Sequence, residues 1–111
     1  MANQELKKGS AELLILSLLA AHGPRHGYEL SKLIQARSGG AVRFNVASLY
    51  PVLYKLEKKG WVQAKWVEKA GQRRRRTYRI TAAGTTVLKE ERRAWEAFVG
   101  AVRNVIGPEH A

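Results

Sequence analysis

Apolar positions recur along this chain with three different rhythms. The first is dense: Leu13, Leu14, Ile15, Leu16, Leu18 and Leu19 are apolar nearly all round a helical wheel. Ser10 is placed to cap that helix, which is expected to run to about Ala21. "HGPRHG" then interrupts the pattern with Gly23, Pro24 and Gly27. A second helix is expected over "YELSKLIQARSGG", with Leu30, Leu33 and Ile34 inward and Gly39 and Gly40 as its stop. A third follows in "NVASLYPVLYKLEKKGWV", where Leu49, Val52, Leu53 and Leu56 form one buried stripe. Ala47, Pro51, Tyr54, Lys55 and Lys58 fall opposite that stripe, with Ser48 and Tyr50 on its flanks. Either Asn45 or Ser48 can supply the N-cap, and the sequence alone leaves both open. Gly60 ends the helix.

The rhythm then shifts to a period of two. Val62, Ala64 and Trp66 alternate along one strand, and Tyr78 and Ile80 along another, with Gly71 in the turn of a β-hairpin. Thr81 caps a final helix over about Ala82–Ile106. It carries a heptad stripe of Leu88, Trp95 and Val102, with Phe98 and Val105 in the other row and Val99 and Ile106 beside them. "GPEHA" is a tail, and no internal repeat or linker-like stretch interrupts the chain.

Composition narrows what such a chain can do. Its 111 residues suit one ordinary domain, and 45% apolar content is enough for a core. The absence of cysteine excludes a disulfide framework and thiolate chemistry, and fits a reducing, cytoplasmic setting. No apolar run reaches the roughly 20 residues of a membrane span. Leu13–Ala21 lacks the flanks of a signal peptide, although Lys7 and Lys8 precede it. Neither a nucleophile–base pair, nor paired carboxylates, nor a phosphate-cradling glycine loop is evident, so catalysis is not expected. No cofactor is expected either. His22 and His26 have the i,i+4 interval of metal ligands, but Gly23 and Pro24 break the helix that interval needs, so no metal site is expected.

Twenty basic against nine acidic residues give a net charge of +11, unevenly spread. Residues 1–60 hold nine bases and four acids, residues 61–81 seven and one, and residues 82–111 four of each. A positive field in the first two-thirds of the chain points to a polyanionic partner, most often nucleic acid.

Three helices followed by a hairpin is the order of a winged helix-turn-helix, in which the third helix enters the major groove and the wing lies along the backbone. The fold class is therefore mainly α with a small β-hairpin (α+β). The expected units are a winged helix-turn-helix at 1–81 and a C-terminal dimerisation helix with its tail at 82–111. The off-core face of the third helix becomes a DNA-binding face made of Asn45, Ala47, Ser48, Tyr50, Pro51, Tyr54, Lys55 and Lys58, joined by Tyr28 and Lys32 from the second helix. The competing reading is a solvated helix face with stray tyrosines. Arg73 and Arg74 are expected at the wing tip, with Arg75 and Arg76 following on the strand. "RRRR" also reads as a solvated charge run, a nuclear import signal or an RNA-binding tract.

The neutral last helix is expected to pair with a second copy across a two-fold axis, using Leu14 and Leu18 with Leu88, Trp95, Phe98, Val99 and Val102. The alternative is that it folds back on its own domain. Trp95 has two readings, a packed interface anchor and a stacking surface for a flat aromatic ligand. Trp61 and Trp66 are assigned to hairpin packing.

"HGYEL", "ASLYPVLYKLEKKGWV", "GQRRRRTYRITAAG" and "ERRAWE", in that order across about Leu13–Trp95, resemble the PadR family of bacterial transcriptional regulators. The resemblance implies a homodimeric repressor with a winged helix-turn-helix and a single short C-terminal dimerisation helix. The two-fold pairing expected of the last helix would present paired recognition helices to a pseudo-palindromic operator. The resemblance also implies release by a drug-like or phenolic molecule bound between subunits beside a residue placed like Trp95. The chain departs from the family pattern at Gly71-Gln72-Arg73, where "GRRR" is usual, and at Val46-Ala47-Ser48-Leu49-Tyr50, where "PGSLY" is usual. The functional expectation is a sequence-specific, ligand-responsive regulator. Its alternative is an architectural or RNA-associated basic protein that binds without reading sequence.

Overall fold

The helix expected to begin at Ser10 begins at Asn3: α1 spans Asn3–His22, and Ser10 lies inside it. The strong helix formers Gln4, Glu5, Leu6, Lys7 and Lys8 carry the helix past Gly9, which outweighs one favourable capping residue further on. The computed structural model describes residues 3–68, 71 and 73–107, with side chains from Ser10 onward.

Gly23 ends α1 at a φ of 79°, its N–H bonded to Leu19 O at 3.0 Å, as a left-handed helix terminus requires. What reads as a break then holds a short strand, β1 (Arg25–His26). Two residues are too few for an alternating pattern, so only pairing with a partner reveals it. His26 caps α2 (Gly27–Arg37): its ring accepts from Glu29 N while the Glu29 carboxylate accepts from the His26 N–H. Asn45 caps α3 (Val46–Lys58), its Oδ1 accepting from Ser48 N at 2.8 Å. That places Pro51 inside the helix, well past its first turn.

β2 (Val62–Val67) and β3 (Arg75–Ile80) pair antiparallel, from Val62 opposite Ile80 to Val67 opposite Arg75. β1 adds to the far edge of β3, His26 opposite Thr77, so the sheet order is β1-β3-β2. The expected hairpin is thus part of a three-stranded sheet. The α4 helix (Ala82–Ile106) starts at Thr81, whose Oγ1 accepts from Gly84 N and donates to Gly60 O.

One core joins these elements. Ile15, Leu16 and Leu19 from α1, Leu30 from α2, Leu49, Leu53 and Leu56 from α3, Tyr78 from the sheet and Leu88 from α4 are buried together. The first two turns of α4 belong to that core through Gly84 and Leu88. Beyond them the helix projects, and the molecule measures 60 × 28 × 21 Å. The architecture is α+β, four helices with a small antiparallel sheet arranged as a winged helix-turn-helix. Among the described residues, no helix is long and apolar enough to cross a membrane.

Candidate nucleic-acid interface

The cap at Asn45 and the stripe of Leu49, Leu53 and Leu56 fix which side of α3 faces out. Ala47, Ser48, Pro51, Tyr54, Lys55 and Lys58 are all exposed, as is Asn45. Tyr54 is 51% exposed, a large aromatic surface with no core role. Tyr50 sits differently. It is half-buried and packs under α2, where a Cβ added at Gly27 would lie 3.2 Å from its ring. Its ring stacks on Tyr54, with centroids 5.9 Å apart. Gly27, which reads in the sequence as a break, is instead the space that lets α2 and α3 close around Tyr50.

Lys55 leans toward α1. Its Nζ lies 3.3 Å from Glu12 Oε2, and Lys59 lies 4.0 Å from the same oxygen. On α2, Tyr28 is exposed and Lys32 Nζ lies 5.4 Å from its ring centroid.

The wing arginines divide by role. Arg73 and Arg74 occupy the segment between the strands and are exposed. Arg76 is half-buried and ion-paired, its Nη2 lying 2.7 Å from Glu57 Oε2 on α3. That pair fastens the wing to the exposed helix. Arg75 points to the other face of β3, where its Nη1 lies 2.7 Å from His26 Nε2. Lys69 and Gln72 lie outside the described residues.

Trp66, which the strand pattern places in hairpin packing, is 53% exposed. Its position opposite Arg76 turns it toward α3, not into the core. The Arg74 guanidinium lies 4.7 Å from its ring centroid. An alternating strand pattern does place Trp66 on the same side as Val62. It cannot tell that the sheet extends past the core at that end. Trp61, by contrast, packs half-buried against the core, with Lys59 Nζ 4.4 Å from its ring centroid.

Between the wing, α2 and α3 lies an open cleft of about 480 Å³, lined by His26, Tyr28, Tyr50, Tyr54, Trp66 and residues 73–76. Its walls are aromatic faces and guanidinium groups, which together suit phosphate and a stacked ring. Burial pushes the His26 pKa below its ordinary value, aided by Arg75 and Arg25 and opposed by Glu29, so the ring is neutral at physiological pH. The His22 and His26 rings both have partners within the fold. His22 Nε2 lies 2.7 Å from Arg37 Nη1, and His26 caps α2. Among the described residues no group of three or more His, Cys, Asp or Glu is arranged to hold a metal.

A second exposed surface runs along α4. Trp95 and Phe98 are 44% and 53% exposed, with ring centroids 6.1 Å apart, and Val105 and Ile106 are more exposed still. Leu14, Val99 and Val102 are half-buried. Leu18 and Leu88, expected in a subunit interface, are already covered within the single chain, because the start of α4 packs on α1. Beside them is a cleft of about 330 Å³ with Leu14, Leu18, Ile34 and Val42 in its lining and Arg37 and Arg92 at its polar positions.

Comparison with known proteins gives a consistent answer. The profile of the transcriptional regulator PadR-like family matches residues 15–90. A transcriptional regulator from Mycobacterium tuberculosis is 36% identical over 104 residues, covering 94% of this chain and 90% of that protein. Among solved structures, a transcriptional regulator from Clostridium thermocellum superposes with a TM-score of 0.85 at 28% identity, covering 96% of this chain and 99% of that one. Bacillus subtilis PadR, solved in complex with operator DNA, shares the fold at a TM-score of 0.64 and 23% identity, over 71% of this chain and 44% of that one. The winged architecture, the basic aromatic face and the match across 15–90 agree, and the chain belongs to the PadR-like family of transcriptional regulators.

Proposed function

We propose that this chain is a sequence-specific transcriptional repressor that works as a homodimer on a pseudo-palindromic DNA operator in the cytoplasm. The observation that carries the reading is the shared cleft. Tyr50 and Tyr54 on α3, Tyr28 on α2 and the wing arginines converge on one cleft instead of being scattered over the surface. In that reading α3 enters the major groove. Ser48, Tyr54 and Lys58 reach base edges and phosphates, Ala47 and Pro51 contact thymine methyls, and Arg73 and Arg74 reach the adjacent backbone. Asn45 and Tyr50 frame α3, and Tyr28 and Lys32 meet the backbone from α2. Lys55 joins them once a phosphate displaces Glu12. Arg76 serves through its ion pair, holding the wing at a set distance from α3. Bacillus subtilis PadR in complex with operator DNA supports the assignment by its shared fold.

The exposed apolar length of α4 supports a second copy of the chain as its cover, with Trp95, Phe98, Val99 and Val102 at the contact and Leu14 beside them. Two adjacent indoles near a two-fold axis would offer a flat aromatic effector a stacking surface. Such an effector would release DNA only by binding better to a dimer whose α3 helices are wrongly spaced, a population shift. The protein acts by binding, and no catalytic step is part of this function.

Fluorescence anisotropy tests it with a duplex from the chain's own promoter region and a scrambled duplex, at about 0.15 M salt. Binding the promoter duplex at least ~100-fold more tightly is the expected result. Tyr54→Ala should weaken promoter binding by about 10-fold or more, while leaving the sedimentation of the protein unchanged. Equal affinity for both duplexes, with indifference to Tyr54→Ala, would favour an architectural or RNA-associated protein instead.

A further inference from the structure

His26 is asked for more hydrogen bonds than one imidazole can make. Its Nδ1 lies 3.3 Å from Glu29 N, where it must accept to cap α2. Its Nε2 lies 2.7 Å from Arg75 Nη1, where it must also accept, because a guanidinium only donates. A neutral imidazole has one N–H and one lone pair. With the lone pair on Nδ1 the cap forms, and Nε2–H faces Glu29 Oε1 at 3.3 Å, but Arg75 then meets an N–H. With the lone pair on Nε2, Arg75 is held, but the N–H on Nδ1 meets the Glu29 N–H. Protonation satisfies neither.

The surroundings make this conflict consequential. The His26 side chain is only 17% exposed, its backbone pairs with Thr77 in the sheet, and its ring stacks on Tyr28. Swinging the ring away would give up both the stack on Tyr28 and the contact with Glu29 N. Arg75 is exposed and sits where the wing segment joins β3. His26 lines the clefts on both sides of that junction, and Arg75 lines both as well. The charged groups facing the ring are Glu29 from α2, Arg75 from β3 and Arg25 from β1. Burial and the two arginines keep the ring uncharged above about its ordinary pKa, so the choice at neutral pH lies between tautomers.

We infer that His26 is a positioning residue for the wing. In the free protein the ring is divided between two tautomers, one whose Nε2 holds Arg75 beside the start of α2 and one whose Nδ1 caps that helix. When a phosphate draws Arg75 away, only the capping tautomer, with its proton on Nε2, remains. Wing engagement and the start of α2, the helix that carries Tyr28 and Lys32, are thereby coupled through one ring. The coupling to DNA rests on the reading of this face as a nucleic-acid interface. The tautomer conflict does not.

Two measurements decide it. The first needs no DNA. Long-range ¹H–¹⁵N spectra of the imidazoles at pH 7.5 should show His26 with a substantial Nδ1–H population in the free protein. Arg75→Ala should convert it to the Nε2–H form. An Nε2–H ring in both proteins overturns the inference. The second compares duplex binding. His26→Asn keeps a good cap but has no atom that reaches Arg75. Its melting temperature should stay near that of the parent, and it should bind the promoter duplex roughly 2- to 10-fold more tightly, the worth of one hydrogen bond released. Adding His26→Asn to Arg75→Ala should change affinity no further. Tighter binding that persists without Arg75, or no tightening with it, overturns the coupling. If parent and variants all ignore duplex at low salt, the nucleic-acid reading of this face fails, and the spectra of the free protein still decide the tautomer.

Discussion

Gly84 is a glycine because the Trp61 carbonyl occupies the place where a side chain would go. A Cβ there would lie 2.1 Å from Trp61 O and 2.8 Å from the Ile80 side chain. The contact is with backbone, so no rotamer change relieves it. Gly84→Ala should therefore destabilise the fold by roughly 2–3 kcal/mol, measured by urea denaturation, as α4 is pushed off the β2 end of the sheet. Nothing in "TAAGTT" marks this glycine apart from the others, because its reason lies twenty-three residues earlier in the chain. Tyr78 is legible as a core residue, though not as one whose hydroxyl lacks a partner among the described residues. Alternation predicts that it points inward, and it is fully buried. Burial, opposed by Arg76, pushes its pKa up to about 12, and its hydroxyl has no hydrogen-bond partner among the described residues. Because the folded state keeps that proton longer than the unfolded chain, stability is expected to fall as pH rises from about 10 through 12. Tyr78→Phe should flatten that fall in thermal melts.

Between elements, charge does what the apolar stripes leave undone. Glu57 on α3 and Arg76 on β3 hold the wing to the exposed helix. Glu12 on α1 gathers Lys55 and Lys59 from the end of α3. Glu91 on α4 joins this group. Burial raises its pKa first, and Glu12 adds to the shift against the pull of Lys59. One of its carboxylate oxygens is buried without a hydrogen-bond partner among the described residues. The folded state thus binds a proton at Glu91 more readily than the unfolded chain. Stability is lost as pH rises through that titration, and the loss is complete above it. Glu91→Gln is expected to stabilise the protein at pH 7 by on the order of 0.5 kcal/mol, the gain vanishing near pH 4 in matched urea titrations. A helical wheel places Lys55 correctly on the outside of α3. The wheel has no way to show that Glu12, forty-three residues away in sequence, draws it sideways.

At the scale of the whole molecule, the decisive feature is that α4 outreaches the body it grows from. Its 25 residues extend about 37 Å, and only its first two turns reach the core. Trp95, Phe98, Val105 and Ile106 are left with apolar surface in water. On the proposed homodimer, replacing Trp95 and Phe98 together by glutamate should raise the dissociation constant at least ~100-fold, since each copy would bury unpaired carboxylates. Sedimentation velocity at micromolar concentration should then show a monomer whose circular dichroism is unchanged. A parent protein already monomeric under those conditions would remove the basis for paired recognition helices.

Periodicity was sufficient for the order of the four helices and the hairpin, the α+β class and the outward face of α3, because those follow from which residues prefer water over short stretches of chain. Motifs in the right order were sufficient for the family. Position in space was needed for the rest. Asn45 rather than Ser48 caps α3, because the core stripe sets where the helix can begin. The two residues of β1 become a strand only by pairing with β3. Leu88, regular in a heptad pattern, belongs to the protomer core because α4 starts against α1. Trp66 stands open beside Tyr54 because the sheet runs past the core at that end. Local sequence sets what each segment prefers, while contacts between distant segments decide which surfaces remain for a partner.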